Sequence, residues 1–261
     1  MKKIILPSQK VGITEAGDPV FNLDIFDNLY RANIIITKNL TDSMIERLVK
    51  NSRSVILHMT CTGHGGTMLE PNVPAPEVTR MQMQKLLDAG FPASHVVLRI
   101  DPILPTVSGR KTAYYVAALF AGLGITRLRY SILDMYPHVK ARLSKQDMPV
   151  PYTTFHASYA ARKATWEGIA AVGARYGYTV EACGEPDLPP TPCLSQKDID
   201  ILGLRDKIFL ESSAGQRKTC GCPANKSELI RKGRPHRCEH KCVYCFWKDK
   251  EETEAAPSNG M

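Results

Sequence analysis

The sequence predicts an α/β protein built as a partial parallel β/α barrel, and three observations point there. The chain has 261 residues, a length at which a single barrel domain is ordinary. Its first two-thirds alternate β-branched runs with helix-length amphipathic segments, the pattern of βα units on a parallel sheet. The strand-like runs turn polar at their C-terminal ends, where barrels of this kind assemble their active sites.

Taken in order, residues 33–38 (NIIITK) form the first predicted strand. A helix follows, opened by the capping box Ser43-x-x-Glu46 and carrying Met44, Ile45, Leu48 and Val49 on one face. Residues 55–60 (VILHMT) form the next strand, and a glycine-rich loop, GHGGTMLEPNVP, leads to a helix from Pro76 to Gly90. Residues 95–100 form a third strand that runs into Asp101-Pro102-Ile103-Leu104-Pro105, followed by a helix over 112–122. A strand over 127–133, a long helix over about 156–176 and a strand over 179–183 complete the regular part. After Gly184 the segments shorten and prolines cluster at 186, 189, 190 and 192, with a further short helix over 196–202. The expected division is therefore a β/α core over 1–183, a Cys-rich segment of the same domain over 184–250, and a disordered tail over 251–261.

Composition narrows the class. With 43% hydrophobic and 23% charged residues the chain reads as globular, and no apolar run approaches a membrane span. The opening MKKIILPSQKVG lacks the apolar stretch of a signal peptide, so the expected compartment is the cytoplasm, where disulfides rarely persist. Eight cysteines in a reducing compartment point to metal or catalysis, and seven of them fall between Cys183 and Cys245. The formal charge of +8 suggests a polyanionic partner, nucleic acid being the commonest. Lys and Arg are dense from Arg217 to Lys250, the stretch that also holds the last five cysteines.

Cys238, Cys242 and Cys245 are spaced CxxxCxxC. Three thiolates on one short loop can each hold one iron of a 4Fe–4S cube, which leaves the fourth iron open. An open coordination position marks a catalytic rather than a structural centre. Zinc, with His236 or His240 as a fourth ligand, is the competing reading, although zinc motifs more often use separated CxxC pairs.

The spacing, with Tyr244 directly before the last cysteine, resembles the signature of the radical S-adenosylmethionine (radical SAM) superfamily. The resemblance implies that SAM chelates the open iron through its amino and carboxylate groups. The cluster's electron would then cleave SAM to methionine and a 5′-deoxyadenosyl radical, which abstracts hydrogen from a substrate. A reductant such as flavodoxin or ferredoxin is implied as well. The run from TKN (37–39) through HMTCTG, LEPNVPAPEVTRMQMQKLLDAGFP and RIDPILP is similar to strands of spore photoproduct lyase-like members. In the superfamily the motif follows the first barrel strand, whereas here it stands at the far end of the chain. The resemblance therefore implies a circularly permuted barrel of the radical SAM type, with the cluster loop supplied by the C-terminal segment. It also implies cofactor contacts for Tyr244 against adenine, for Lys38 and Thr60 or Thr62 facing SAM, for Arg99 toward the carboxylate, and for Glu70 at a ribose hydroxyl or substrate.

Cys183, Cys193, Cys220 and Cys222 suit a second, fully ligated site, with glycine relaxing the backbone between the last two. A second 4Fe–4S cluster is the expectation and zinc the alternative. Cys61 and Tyr136, each near a strand end, are candidate hydrogen-atom donors, with a buried thiol and a loop tyrosine as the plainer readings. The substrate expected is a nucleic-acid base, DNA favoured, which would have to leave the duplex stack to be reached. A non-catalytic zinc or iron–sulfur nucleic-acid-binding protein and an electron-transfer protein remain the alternatives.

Overall fold

The structure is a computed structural model that describes residues 5–212, 220–230 and 238–246. The tail over 251–261, His236 and Arg217 lie outside the described residues, so the expectations placed on them do too.

Among the described residues seven strands form one sheet in which every pairing is parallel. They are β1 (Val11–Ile13), β2 (Asn33–Thr37), β3 (Val55–Thr60), β4 (Val96–Ile103), β5 (Arg127–Ile132), β6 (Thr179–Ala182) and β7 (Lys226–Glu228), in the spatial order β6-β5-β4-β3-β2-β1-β7. The first six lie in chain order, as successive βα units require. The last returns to the far edge and pairs with β1 through Val11↔Lys226 and Ile13↔Glu228. Six helices accompany them among the described residues: α1 (Asp42–Lys50), α2 (Pro76–Asp88), α3 (Val107–Leu119), α4 (Pro137–Lys145), α5 (Tyr159–Tyr176) and α6 (Gln196–Ile201).

The pleat sorts the strand residues onto two faces. Ile35, Leu57, Met59, Leu98, Ile100, Leu128 and Tyr130 pack against Met44, Leu48, Met83, Val116, Phe120 and Ile169 of the helices, forming the main core. Each such fully buried aliphatic or aromatic side chain contributes about 1.5–3 kcal/mol. On the opposite face Val11, Ile13, Ile34, Ile56 and Val97 are covered by Leu194, Ile199 and Ile208 of the segment after β6. That face also carries Arg127 and Arg129, both buried, paired with Glu181 at 3.1 and 2.5 Å, while Arg127 reaches Asp198 of α6 at 2.7 Å.

Several expectations shift by a few residues. The cap of α1 is Thr41, whose side chain accepts from Met44 N, rather than Ser43. An extended Thr41 can present its hydroxyl to the third residue ahead, and Ser43 is already inside the helix. Thr106 likewise caps α3, which starts five residues before the expected 112 and ends at Leu119. Strands β1 and β7 and helix α4 had no expectation: two are three-residue strands, one of them the wholly polar Lys-Ser-Glu, too short to show a period. No described helix is long and apolar enough to cross a membrane.

A candidate metal centre at the strand ends

The loop carrying Cys238, Cys242 and Cys245 is fastened to the C-terminal end of the sheet by contacts from three directions. Val243 N donates to Leu69 O at 3.0 Å, and Asn72 Nδ2 donates to Glu239 O at 2.7 Å, both in the glycine-rich loop after β3. Arg142 of α4, buried, donates through Nε to Val243 O at 2.7 Å and through its outer nitrogen to Cys245 O. His240 lies between Asp18, 2.8 Å from Nε2, and Asn72 O, 3.1 Å from Nδ1. Both its ring nitrogens thus have oxygen partners. Cys242 is buried, Cys245 half-buried and Cys238 exposed. Burial pushes the Cys242 thiol up to about 11, Lys38 pulling the other way, so metal uptake there displaces a proton.

Beside the loop stands a buried polar network. Lys38 Nζ, directly after β2, lies 2.5 Å from Glu70 Oε1 and 2.9 Å from the Tyr244 hydroxyl. Tyr244 itself donates to Glu70, and Thr62 Oγ1 donates to the other carboxylate oxygen at 2.6 Å. Burial alone would raise the Glu70 carboxyl, but Lys38 with the Thr62 and Tyr244 hydroxyls holds it below its usual range. Burial likewise works against the Lys38 charge, and Glu70 and Cys242 more than offset it. Glu70 is therefore a carboxylate and Lys38 an ammonium at neutral pH. Asp18 anchors the next layer, accepting from Thr37 Oγ1 at 2.7 Å and Lys38 N at 2.8 Å as well as meeting His240.

Thr60 and Arg99 are register partners on β3 and β4, and the pleat turns both, with Asp101 and Ser131, onto the face opposite the helices. Arg99 Nε donates to Asp101 Oδ2 at 2.7 Å, and Ser131 donates to the other oxygen. Burial opposes the Asp101 charge, yet Arg99 and Ser131 hold its carboxyl low. Tyr136, the residue before α4, packs against Phe246 with centroids 4.6 Å apart and against His138 and Phe155 at 5.5 and 4.9 Å. Lys38, Thr62, Glu70 and Tyr244 thus meet at one place beside the cysteine loop, and Tyr136 borders the loop's end.

A family model described as a domain of unknown function, DUF1848, matches residues 24–247. The chain belongs to the DUF1848 family. A search of curated proteins found no match.

In this DUF1848 chain one expected site residue is displaced. Cys61 follows Thr60, so the pleat turns its thiol to the helix side, where it packs within the main core rather than lining the polar face. Burial there pushes its thiol up to about 12. The second cysteine set does come together: Cys183 Sγ and Cys193 Sγ are 3.9 Å apart, Cys193 N donates to Cys222 Sγ at 3.2 Å, and Cys220 hydrogen-bonds Cys222. Glu15 adds a carboxylate oxygen within 4.8 Å of Cys193 and Cys222 Sγ. Asp18, Asp101, Arg142 and Glu15 belong to these sites without having been singled out by sequence. Asp101 carried a signal, its place at the end of a predicted strand; Asp18 and Glu15 lie before that strand and carried none.

Proposed function

We propose that the chain is a radical SAM enzyme whose catalytic cluster is held by Cys238, Cys242 and Cys245. The observation that carries this reading is the position of the cysteine loop. It follows β7, and β7 lies beside β1 at the sheet edge, so the strands read β7-β1-β2-β3-β4-β5-β6 with the loop after the first of them. That is the cyclic order a permuted parallel barrel would have, and the superfamily resemblance puts the cluster after the first strand. The donor set fits as well: three cysteines share one loop, and the His240 ring nitrogens are held by Asn72 and Asp18.

When bound, a 4Fe–4S cluster with one open iron would deliver an electron to a chelated SAM and release a carbon radical. The chain's own residues hold and shape that place. Arg142 and Leu69 fix the loop backbone, and the Lys38–Glu70–Tyr244–Thr62 network sets the tyrosine ring next to Cys245. Lys38 and Arg99, paired here with Glu70 and Asp101, are the cations we assign to a bound carboxylate, and Glu70 is the carboxylate we assign to a hydroxyl, each exchanging a present partner. Tyr136, one of the two candidate hydrogen-atom donors, packs against Phe246 directly after the cysteine loop. The substrate class we favour is a nucleic-acid base, on the formal charge of +8.

The test is anaerobic reconstitution with iron and sulfide, then dithionite and SAM, measuring 5′-deoxyadenosine. Wild type is expected to form it and Cys242→Ala to fall to background. Purified protein that takes up zinc but no cluster would reverse the reading in favour of a metal-bearing nucleic-acid-binding protein.

A further inference from the structure

We propose that the cavity beside Tyr152 and the exposed rings of Phe155 and Tyr159 next to it form a site for single-stranded nucleic acid, in which bases stack on the two rings and one base occupies the cavity. The cavity measures about 420 Å³, within the range of small-molecule sites. Pro105, just past β4, lines one part of it, and the segment leading into α5 lines the rest. Helix α5 runs back to the start of β6, so its first turn stands at the C-terminal end of the sheet. The walls of the cavity continue to the cysteine loop. Leu104 and Tyr152 pack in one apolar cluster with Cys242, Val243 and Tyr244, and Phe155 meets Tyr136, which meets Phe246.

The lining selects the ligand. Among the described residues no charged side chain lines the cavity. Pro105, Pro151 and the Tyr152 ring supply flat apolar surface, and Thr153, Thr154 and Ser158 supply hydroxyl-bearing side chains. Such a lining disfavours a phosphate, which would be desolvated without a counter-charge. It suits a planar base, which has apolar faces and a hydrogen-bonding edge. The Tyr152 hydroxyl is buried and has no hydrogen-bond partner among the described residues. Burial, with Asp134 and Glu185 nearby, keeps that hydroxyl protonated. A ring nitrogen or carbonyl oxygen reaching it would satisfy an O–H that is otherwise unpaired.

The rim supplies what the lining lacks. Phe155 and Tyr159 are 43% and 57% exposed, and each directly follows a lining residue, Thr154 and Ser158. Each ring is held by an aromatic partner, Phe155 by Tyr136 at 4.9 Å between centroids and Tyr159 by Trp166 at 5.6 Å. An aromatic ring fixed by packing yet open to solvent is a stacking platform for any base. Three cations belong to the same surroundings. Arg110 lies 3.4 Å from Pro105 O, the Lys140 amide donates to Tyr136 O, and Lys163 stands one turn past Tyr159, 3.8 Å from Glu167. On a chain of formal charge +8 they are the groups for phosphates outside the cavity. A duplex keeps its base faces stacked, so only a single strand can use both the rings and the cavity.

The inference rests on the proposed function for its substrate class, but its test needs neither SAM nor reductant, so the two fail separately. The full chain is titrated against fluorescently labelled DNA of about 12 nucleotides, as single strand and as duplex, with anisotropy as the readout. The single strand is expected to bind more tightly. Phe155→Ala and Tyr159→Ala should each weaken it roughly 5–150-fold with the salt slope unchanged, and Tyr159→Phe should bind as wild type. Ala161→Phe, which fills the cavity from the first turn of α5, should weaken the single strand too. Circular dichroism should be retained throughout, because Tyr159 is exposed and Ala161 half-buried. Equal affinity for the two forms, or alanine variants that bind as wild type, would overturn the stacking site. Wild-type binding by Ala161→Phe would overturn the placement of a base in the cavity. A protein that binds no single strand would overturn the inference, and 5′-deoxyadenosine formed by that same protein would leave the proposed function standing.

Discussion

At the scale of single residues, His58 shows how a buried side chain governs pH behaviour. It is fully buried on the polar face of β3 with neither ring nitrogen hydrogen-bonded. Burial, reinforced by Arg129, Arg99 and Arg127, keeps its pKa well below the ordinary histidine value. The unfolded chain binds a proton at this position below about pH 6.5 and the folded chain does not, so stability falls as pH drops through that value. His58→Leu should flatten that dependence in urea titrations at the two pH values; an unchanged slope would show the ring charging inside the fold. Lys38 and Thr62 were legible because they sit just past strand ends, whereas Glu70, in the loop between β3 and α2, was reached only through the superfamily resemblance. Asp18 was not legible, since its partner His240 lies 222 positions away and no local pattern joins them.

At the scale of elements, two substitutions separate the loop that supports the site from the sheet beneath it. A Cβ on Gly65 would stand 1.9 Å from Pro74 O, so Gly65→Ala must open the loop that carries Glu70. The overpacking should cost about 1–3 kcal/mol. On the proposed function, 5′-deoxyadenosine formation should fall roughly 10–100-fold with the circular dichroism spectrum retained. Glu181 of β6 is the shared partner of two buried guanidiniums, Arg127 and Arg129. Glu181→Ala would leave both less compensated and should cost about 3–5 kcal/mol in denaturant unfolding. The main strands were legible because β-branched runs of five or six residues show themselves. Strands β1 and β7 were not: three residues carry no period, and β7 is a strand only because β1 pairs with it.

For the whole molecule, a chain of formal charge +8 should bind duplex DNA through its phosphates. Affinity measured by fluorescence anisotropy should then fall steeply with salt, log K dropping by about 0.9 per log unit of salt for each phosphate contacted. A salt-independent or undetectable interaction would favour a small-molecule or peptide substrate.

The sequence alone determined the α/β class and the parallel winding, because hydrophobic period and element length are local properties. It also identified the three-cysteine loop, whose cysteines are too close in the chain to be far apart in space. Only the tertiary structure decided that β7 returns to β1, that Cys61 turns into the helix-side core, and that Cys193 stands beside both Cys183 and Cys222. Those outcomes depend on strand order and pleat, which arise when distant segments pack together and leave no mark on the spacing of neighbouring residues.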